Sequence, residues 1–114
     1  TSYFSTKEVS EGIYCNGDLC ASEIGADLGS MSIILDIAKK YKDFDYKLFF
    51  ESYAKCWLNL ARPSYFETQM QNVHPFSYLR VNAIVQHFDE FYQAFGVTET
   101  DKMFLPKENR LILF

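Results

Sequence analysis

One stretch, from Ile24 to Tyr41, constrains the fold of this chain more than any other. Apolar residues recur along it at spacings of three and four, which is the period of one helix face. The members of this stripe are Ile24, Leu28, Met31, Leu35 and Ala38, and it is widened by Ile33, Ile34, Ile37 and Tyr41. Since a helix that is apolar nearly all round is normally buried on several sides, the stretch predicts an interior helix over about residues 23–42. Ser22 is its expected N-cap.

A second helix, also strongly apolar, is predicted over residues 46–62. Asp45 precedes its periodic stretch, at the position where a side-chain oxygen can cap the first turn. Pro63 sets the predicted end, because a proline disfavours the α conformation of the residue before it.

Two shorter helices are expected further along the chain. Ser64 and Glu67 have the spacing of a capping box, which predicts a helix over residues 64–70. Residues 89–95 are followed by Gly96, the residue that most readily adopts the left-handed conformation ending a helix. These patterns predict a helix over 89–95.

The remaining segments predict little regular structure. Residues 1–22 are rich in Ser, Thr and Gly with a turn signal at Asn16-Gly17, so they are expected to be mostly loop. Residues 79–85 fit both strand alternation and a turn of helix, and we favour one short strand there. The predicted fold class is therefore mainly α, with residues 1–114 forming a single unit.

Charge and hydropathy exclude several classes of partner. The net charge is −4 and the sequence pI is about 5.1, and no cluster of Lys and Arg marks a surface that could bind nucleic acid. No apolar run approaches the roughly 20 residues that span a bilayer, and the first residues lack the features of a signal peptide. We expect neither nucleic-acid binding nor membrane insertion by this segment.

Three cysteines, Cys15, Cys20 and Cys56, lack the spacing of a cysteine zinc site or a disulfide framework. Buried free thiols favour a reducing compartment and hence a cytoplasmic location, although an exported bacterial protein could show the same usage. The chain does not begin with Met, as expected for a processed chain or a fragment.

Glu23 and Asp27 form the first candidate site. Four residues apart on a helix, their carboxylates project from the same face about one turn apart. A solvated helix start is the commoner explanation of such a pair. However, this helix is otherwise so apolar that we expect it to be interior, where a carboxylate needs a cation or a hydrogen-bond donor.

His74 and Arg80 form the second candidate site. A histidine in a loop next to Pro75, with an arginine six residues later, supplies a titratable donor and a permanent cation. Such donors can bind a carbonyl and stabilise a developing oxyanion. The alternative is that His74 packs structurally and Arg80 pairs with a surface carboxylate. His87 has no motif around it and is expected to be a surface or structural residue.

Other catalytic motifs are absent from the sequence. It contains no phosphate-binding glycine loop, no G-x-S-x-G and no EF-hand loop. It also contains no H-E-x-x-H, the motif that supplies two zinc ligands and the general base of many zinc peptidases.

Taken together, the candidate residues carry a resemblance to a known family. The segments Glu23-Ile24-Gly25-Ala26-Asp27, Val73-His74-Pro75 and Arg80-Val81-Asn82, with Phe49-Phe50 and Trp57 between them, occur in family order over most of the chain. The chain resembles the C-terminal part of neprilysin-type zinc endopeptidases, and is most similar to their bacterial oligopeptidase members. The resemblance implies the helical C-terminal part of a thermolysin-like catalytic domain.

The resemblance also implies a role for each candidate residue. Glu23 would be the third ligand of one Zn²⁺ ion, beside two histidines of an H-E-x-x-H helix elsewhere in the polypeptide, and Asp27 would orient one of those histidines. His74 would stabilise the oxyanion, and Arg80 would bind a substrate carbonyl. The implied partners are short peptide substrates and the remainder of the peptidase chain. Asn72 stands where the family usually has an aspartate.

On this hypothesis the 114 residues are inactive alone and form part of a zinc endopeptidase that cleaves short peptides. A different class of function is also open, in which the chain is a non-catalytic helical module that binds proteins through its many aromatic residues. An independent metal-binding domain is less well supported, because one Glu, one Asp and one His make an incomplete ligand set.

Overall fold

The computed structural model describes residues 2–10, 12–58, 60, 62–69, 71–111 and 113. It is mainly helical with one short two-stranded sheet, which confirms the predicted fold class. In chain order the elements are α1 (Ser2–Ser5), β1 (Glu8–Ser10), β2 (Ile13–Tyr14), α2 (Ala21–Ala38), α3 (Tyr46–Cys56), α4 (Pro63–Gln69), α5 (Ser77–Val85), α6 (Asp89–Phe95) and a 3₁₀ turn (Lys107–Asn109). No helix among the described residues is both long and apolar enough to cross a bilayer.

The amino-terminal segment is more regular than the loop predicted over residues 1–22. It contains α1 and an antiparallel hairpin in which β1 and β2 pair Glu8 with Tyr14. Gly12 turns the hairpin with a φ of 73°, a conformation that glycine adopts without strain, and its N–H donates to Glu8 Oε1 over 2.8 Å. The short strands of this hairpin carry too few residues for a clear periodic signal.

Helix α2 occupies Ala21–Ala38 instead of the predicted 23–42. Its N-cap is Cys20 rather than Ser22, and no side chain caps it. At the other end the N–H groups of Lys40 and Tyr41 donate to carbonyls three residues back, which tightens the last turn and ends the helix.

The buried stripe of α2 forms the centre of the fold. It packs against α5, and its side chains share one core of buried residues with Phe50 of α3. The stripe residues are those predicted: Ile24, Leu28, Met31, Leu35 and Ala38. The expectation that α2 is buried on several sides is wrong for the described residues, because Ile33, Ile34 and Ile37 on another face are exposed.

Helix α3 begins as predicted and ends six residues earlier. Asp45 is its N-cap, and the carboxylate accepts the Leu48 N–H over 2.9 Å. Trp57, with φ −103° and ψ 6°, leaves the helix well before Pro63, which begins α4. A proline limits how far a helix can extend but does not fix where it stops. The predicted range 46–62 was therefore too long.

The prediction of extended structure over residues 79–85 is wrong, because these residues form most of α5. Leu79, Ala83 and Ile84 are buried at helical spacing against α2. A run of seven residues fits both periods, and burial against a neighbouring helix decides between them.

Three further predictions concern the carboxyl-terminal half of the chain. Helix α6 has the predicted bounds and ends at Gly96 with a φ of 63°. The predicted helix over 64–70 is observed as α4, and Met70 lies outside the described residues. His87 is buried, and its Nδ1 accepts the Leu111 N–H over 2.9 Å, so it has a structural position rather than a surface one.

Candidate active site

Glu23 and Asp27 lie one turn apart near the start of α2. The Asp27 side chain is only 10% exposed, whereas the Glu23 side chain is one-third exposed, at 33%. The first turn of α2 lies beside the loop that carries His74, because the Cys20 thiol donates to the Asn72 carbonyl over 3.6 Å. Both carboxylates contact Arg80 of α5, and Glu23 also contacts His74 of that loop.

Arg80 of α5 is the cation that satisfies the buried Asp27 carboxylate. Its Nε donates to Oδ2 and its Nη2 to Oδ1, each over 2.7 Å, in a two-pronged contact that only a guanidinium can make. Nη2 also lies 3.5 Å from Glu23 Oε2. The hydrogen bonds that Arg80 donates to Asp27, together with the charge of that carboxylate, raise the pKa of Arg80, so the guanidinium stays charged.

Two aromatic residues of the α3 end fix Arg80 from the other side. The Trp57 ring centroid lies 4.2 Å from the Arg80 Cζ, a cation–π stack. The Tyr53 hydroxyl donates to the Arg80 carbonyl over 2.6 Å, and burial followed by the Asp27 charge raises the pKa of Tyr53 to about 12. Among the described residues, the side-chain contacts of Arg80 use Nε and Nη2, which leaves Nη1 directed away from Asp27.

Asn72 holds the imidazole of His74. Its Oδ1 accepts the His74 backbone N–H over 2.9 Å and also contacts His74 Nδ1 over 2.9 Å. A backbone N–H can only donate, so this atom is the amide oxygen, and the contact assigns a proton to Nδ1. The other ring nitrogen, Nε2, lies 3.6 Å from Glu23 Oε2.

A groove of about 450 Å³ opens beside these residues. Its walls combine aromatic rings with amide and hydroxyl groups. The lining residues that flank the site are Trp57, Tyr65, His74, Phe76, Arg80 and Asn82. A largely apolar groove with a few polar groups at one end is typical of a binding site for a small ligand or an extended peptide.

The chemistry of Glu23 fits one carboxylate ligand of a metal ion. Among the residues that the structure describes, its Oε2 contacts His74 and Arg80 at long distance, so lone pairs of the carboxylate remain available. Within the described ranges, no group of three or more His, Cys, Asp and Glu side chains could hold a metal ion. These residues can supply part of a metal site and not a complete one.

Comparison with known proteins identifies the family. The model of Peptidase family M13 matches residues 1–111. The chain belongs to peptidase family M13. The resemblance to neprilysin-type peptidases is therefore confirmed.

Several bacterial M13 relatives are similar to this chain. A neutral endopeptidase of Lactococcus lactis subsp. lactis is 41% identical over 97 residues, which cover 84% of this chain and 16% of that protein. A neutral endopeptidase of Lactobacillus helveticus is 37% identical over 100 residues, which cover 87% of this chain and 15% of that protein. The chain thus spans about one-sixth of the length of the relatives it matches. No solved structure matches it.

The M13 chain brings all four predicted site residues together, although they come from two helices and a loop. Sequence reasoning did not predict the contacts of the residues that hold them, namely Tyr53, Trp57 and Asn72. Trp57 is among the residues that carry the family resemblance, but nothing in the pattern of α3 indicates that its end meets Arg80. Asn72 did carry a signal, because it lies two residues before His74.

Proposed function

We propose that this chain supplies the third zinc ligand and the substrate-polarising groups of an endopeptidase that cleaves short peptides. The observation that carries the proposal is the contact of Glu23 and Asp27 with Arg80, and of Glu23 with His74. His74 and Arg80 also line the groove. The remaining zinc ligands would be two histidines of an H-E-x-x-H helix outside these 114 residues, so the chain alone is inactive. Zinc bound there supplies a Lewis acid and lowers the pKa of a water molecule.

Asp27 serves two partners in this proposal. Each carboxylate oxygen can accept two hydrogen bonds, and Arg80 uses one on each oxygen. The remaining lone pairs can accept the N–H of a zinc-bound histidine and so fix the orientation of its ring. Arg80 in turn neutralises the Asp27 charge in a nearly buried position.

Arg80 and His74 would act on the substrate. Nη1 of Arg80 donates to a backbone carbonyl of the peptide, while Nε and Nη2 stay bound to Asp27. His74 holds one proton on Nδ1 against Asn72, so its Nε2 faces the reacting carbonyl and donates to the developing oxyanion when the ring carries a second proton, as an imidazolium. The groove beside them binds the neighbouring part of the peptide.

A chimaeric protein that contains this chain and the rest of an M13 enzyme tests the proposal. The chain replaces the matching residues of the L. lactis neutral endopeptidase, and zinc content and peptide cleavage are measured. Glu23→Gln removes the negative oxygen ligand and is expected to lower both zinc content and kcat/KM by at least about 10². Glu51→Gln, an exposed carboxylate of α3, is the matched control and is expected to change neither.

A further variant separates catalysis from metal binding. His74→Ala is expected to retain zinc and to lower kcat by about 10² to 10³, because one oxyanion donor is lost. Retained zinc and full activity in Glu23→Gln would remove Glu23 from the metal site. A fusion that folds but neither holds zinc nor cleaves peptides would favour the non-catalytic protein-binding module instead.

A further inference from the structure

Asn16-Gly17 is a chemically reactive sequence that the candidate active site does not use. An asparagine followed by glycine is especially prone to deamidation, because glycine has no Cβ that hinders approach to its nitrogen. Of the asparagines in the chain, only Asn16 precedes a glycine. Asn16 is exposed, whereas Gly17 is buried. Whether this sequence reacts therefore depends on how the fold holds the two reacting groups.

Deamidation joins the Gly17 nitrogen to the Asn16 side chain. A base removes the Gly17 N–H proton, the nitrogen attacks Asn16 Cγ, and the side-chain nitrogen takes up a proton from solvent and leaves as ammonia. Water then opens the resulting cyclic imide. Opening at Cγ gives aspartate, and opening at the Asn16 backbone carbonyl gives isoaspartate, in which the chain continues through the side chain. Overall, one water molecule is consumed, one ammonia is released and no electrons are transferred.

In the folded chain both reacting groups are held in hydrogen bonds. The Gly17 N–H donates to Ser5 Oγ over 3.1 Å. Asn16 Oδ1 accepts the Leu19 N–H over 3.1 Å and so caps the turn at residues 17–20. Removal of the Gly17 proton and rotation of the Asn16 carboxamide therefore each require a hydrogen bond to break.

Ser5 lies at Gly17 because the segment around it is fixed to the rest of the fold. Phe4, its neighbour in α1, is 0% exposed within the core. On the other side, the Lys7 carbonyl accepts the Cys15 N–H over 2.9 Å. The Ser5 hydroxyl is thus held in place by its neighbours, although Ser5 itself is exposed.

We propose that Asn16-Gly17 is a modification site that the Ser5 hydroxyl protects in the folded chain, and that it converts to aspartate and isoaspartate when α1 detaches. Ser5 is the protecting residue because its hydrogen bond holds the attacking nitrogen itself. With α1 detached, the Gly17 N–H is free to lose its proton, and the sequence reacts as it would in a flexible peptide.

The two products would affect the fold differently. Isoaspartate adds one carbon to the backbone at position 16 and displaces the carbonyl that accepts the Cys20 N–H over 3.1 Å. Cys20 is the N-cap residue of α2, and its thiol donates to the carbonyl of Asn72, which holds His74. Isoaspartate therefore disturbs the junction between α2 and the His74 loop. Aspartate keeps the normal backbone and a side-chain oxygen for Leu19, so it is tolerated.

Deamidation rates of the 114-residue chain test the proposal. The chain is incubated at mildly alkaline pH in buffer and in urea, and the products at position 16 are measured by peptide mapping with mass spectrometry. The wild-type chain is expected to react at least about tenfold more slowly in buffer than in urea, because the folded site reacts only through local opening. Equal rates in buffer and in urea would overturn the proposal.

Ser5→Ala removes the protecting hydroxyl. In buffer it is expected to deamidate about fivefold faster than the wild-type chain, because one hydrogen bond no longer opposes opening, and in urea the two rates are expected to be equal. Ser2→Ala, the same substitution at the other serine of α1, is the matched control and is expected to stay within about twofold of the wild-type rate. A Ser5→Ala rate no faster than that of Ser2→Ala would overturn the proposal.

Amide hydrogen exchange separates the loss of one hydrogen bond from the detachment of the whole segment. Ser5→Ala is expected to speed exchange at Gly17 and to leave exchange unchanged at Cys15, whose N–H donates to Lys7. Ser5→Thr retains a hydroxyl and is expected to retain slow exchange and slow deamidation. Equal acceleration at Gly17 and Cys15 in Ser5→Ala would assign the protection to the segment as a whole and overturn the role of the Ser5 hydroxyl.

Discussion

Arg80 is held in the site by contacts of both its side chain and its backbone. Its guanidinium contacts Asp27 through two atoms and stacks on Trp57, while its backbone carbonyl accepts the Tyr53 hydroxyl. Lysine carries the same charge but cannot make the two-pronged contact or the planar stack. The contribution of Arg80 thus depends on shape as well as charge.

We therefore predict that Arg80→Lys lowers the free energy of unfolding by about 2 kcal/mol, because a charge-assisted hydrogen bond to a nearly buried carboxylate is lost. Urea unfolding followed by circular dichroism measures the loss. Arg62→Lys, at an exposed arginine, is the control and is expected to change stability by less than about 0.5 kcal/mol. Equal losses in the two variants would contradict the special role of Arg80.

His87 makes the stability of the fold depend on pH. It is 5% exposed, and burial lowers its pKa to about 4, an effect that the Ala83 carbonyl offsets only in part. Nδ1 accepts the Leu111 N–H, so a proton on the ring must reside on Nε2, which has no hydrogen-bond partner among the described residues. The folded chain therefore favours the neutral imidazole.

The resulting pH dependence has a definite sign. Between pH 6.5 and about 4 the unfolded chain binds a proton at His87 that the folded chain does not, so stability falls as the pH falls through this window. The loss amounts to about 3 kcal/mol over the full window. Urea unfolding at intervals of pH measures it, and His87→Asn, whose amide oxygen can still accept the Leu111 N–H, should show a smaller slope. An unchanged slope would show that other groups dominate.

The sequence predicts those features of the site that depend on residues close together in the chain. It does not predict contacts between residues that are distant in sequence. The i and i+4 spacing of Glu23 and Asp27 predicts a shared helix face, and the structure has it. Trp57 meets Arg80 at a sequence separation of 23 positions, counted as 80 minus 57, because the end of α3 lies beside α5. No local pattern encodes that meeting, so the stack could not be predicted.

At the scale of the elements, the two glycines Gly25 and Gly96 should respond in opposite ways to the same substitution. Gly96 ends α6 with a φ of 63°, whereas Gly25 lies inside α2, and a Cβ at either position has no atom within 4 Å. Alanine at 96 is expected to cost about 1 kcal/mol or more because of its left-handed backbone. Alanine at 25 is expected to gain roughly 0.5–1 kcal/mol through helix propensity.

Thermal or urea unfolding of Gly25→Ala and Gly96→Ala side by side checks this pair. Each variant is the control for the other, because both add one methyl group in open space. Changes of the same sign would mean that packing, not backbone conformation, governs one of the two positions.

Periodicity predicted where helices occur better than where they end. The stripe of α2 and the Asp45 cap of α3 were visible in sequence because they depend on neighbouring residues. The end of α3 at Cys56 and the helical state of α5 depend on packing between elements, which a single sequence does not display. The two strands of the hairpin are too short to carry a period at all.

At the scale of the whole molecule, the described residues supply an incomplete metal site. Glu23 and the nearby His74 offer two ligands, and no third suitable side chain completes a group among the described residues. We predict that adding zinc to the chain alone does not raise its melting temperature, because a ligand stabilises a fold only at concentrations near or above its dissociation constant. Differential scanning calorimetry with and without zinc measures this, with magnesium as the control. A saturable rise that disappears in Glu23→Gln would mean that the chain completes the site itself.

The stack of Trp57 on Arg80 has one more consequence. Trp57 is the only tryptophan of the chain, so its tryptophan fluorescence comes from one indole that lies against a guanidinium at the edge of the groove. A peptide that engages Arg80 must alter the electric field at that indole. The protein thus carries an intrinsic optical reporter of this groove, readable without any label.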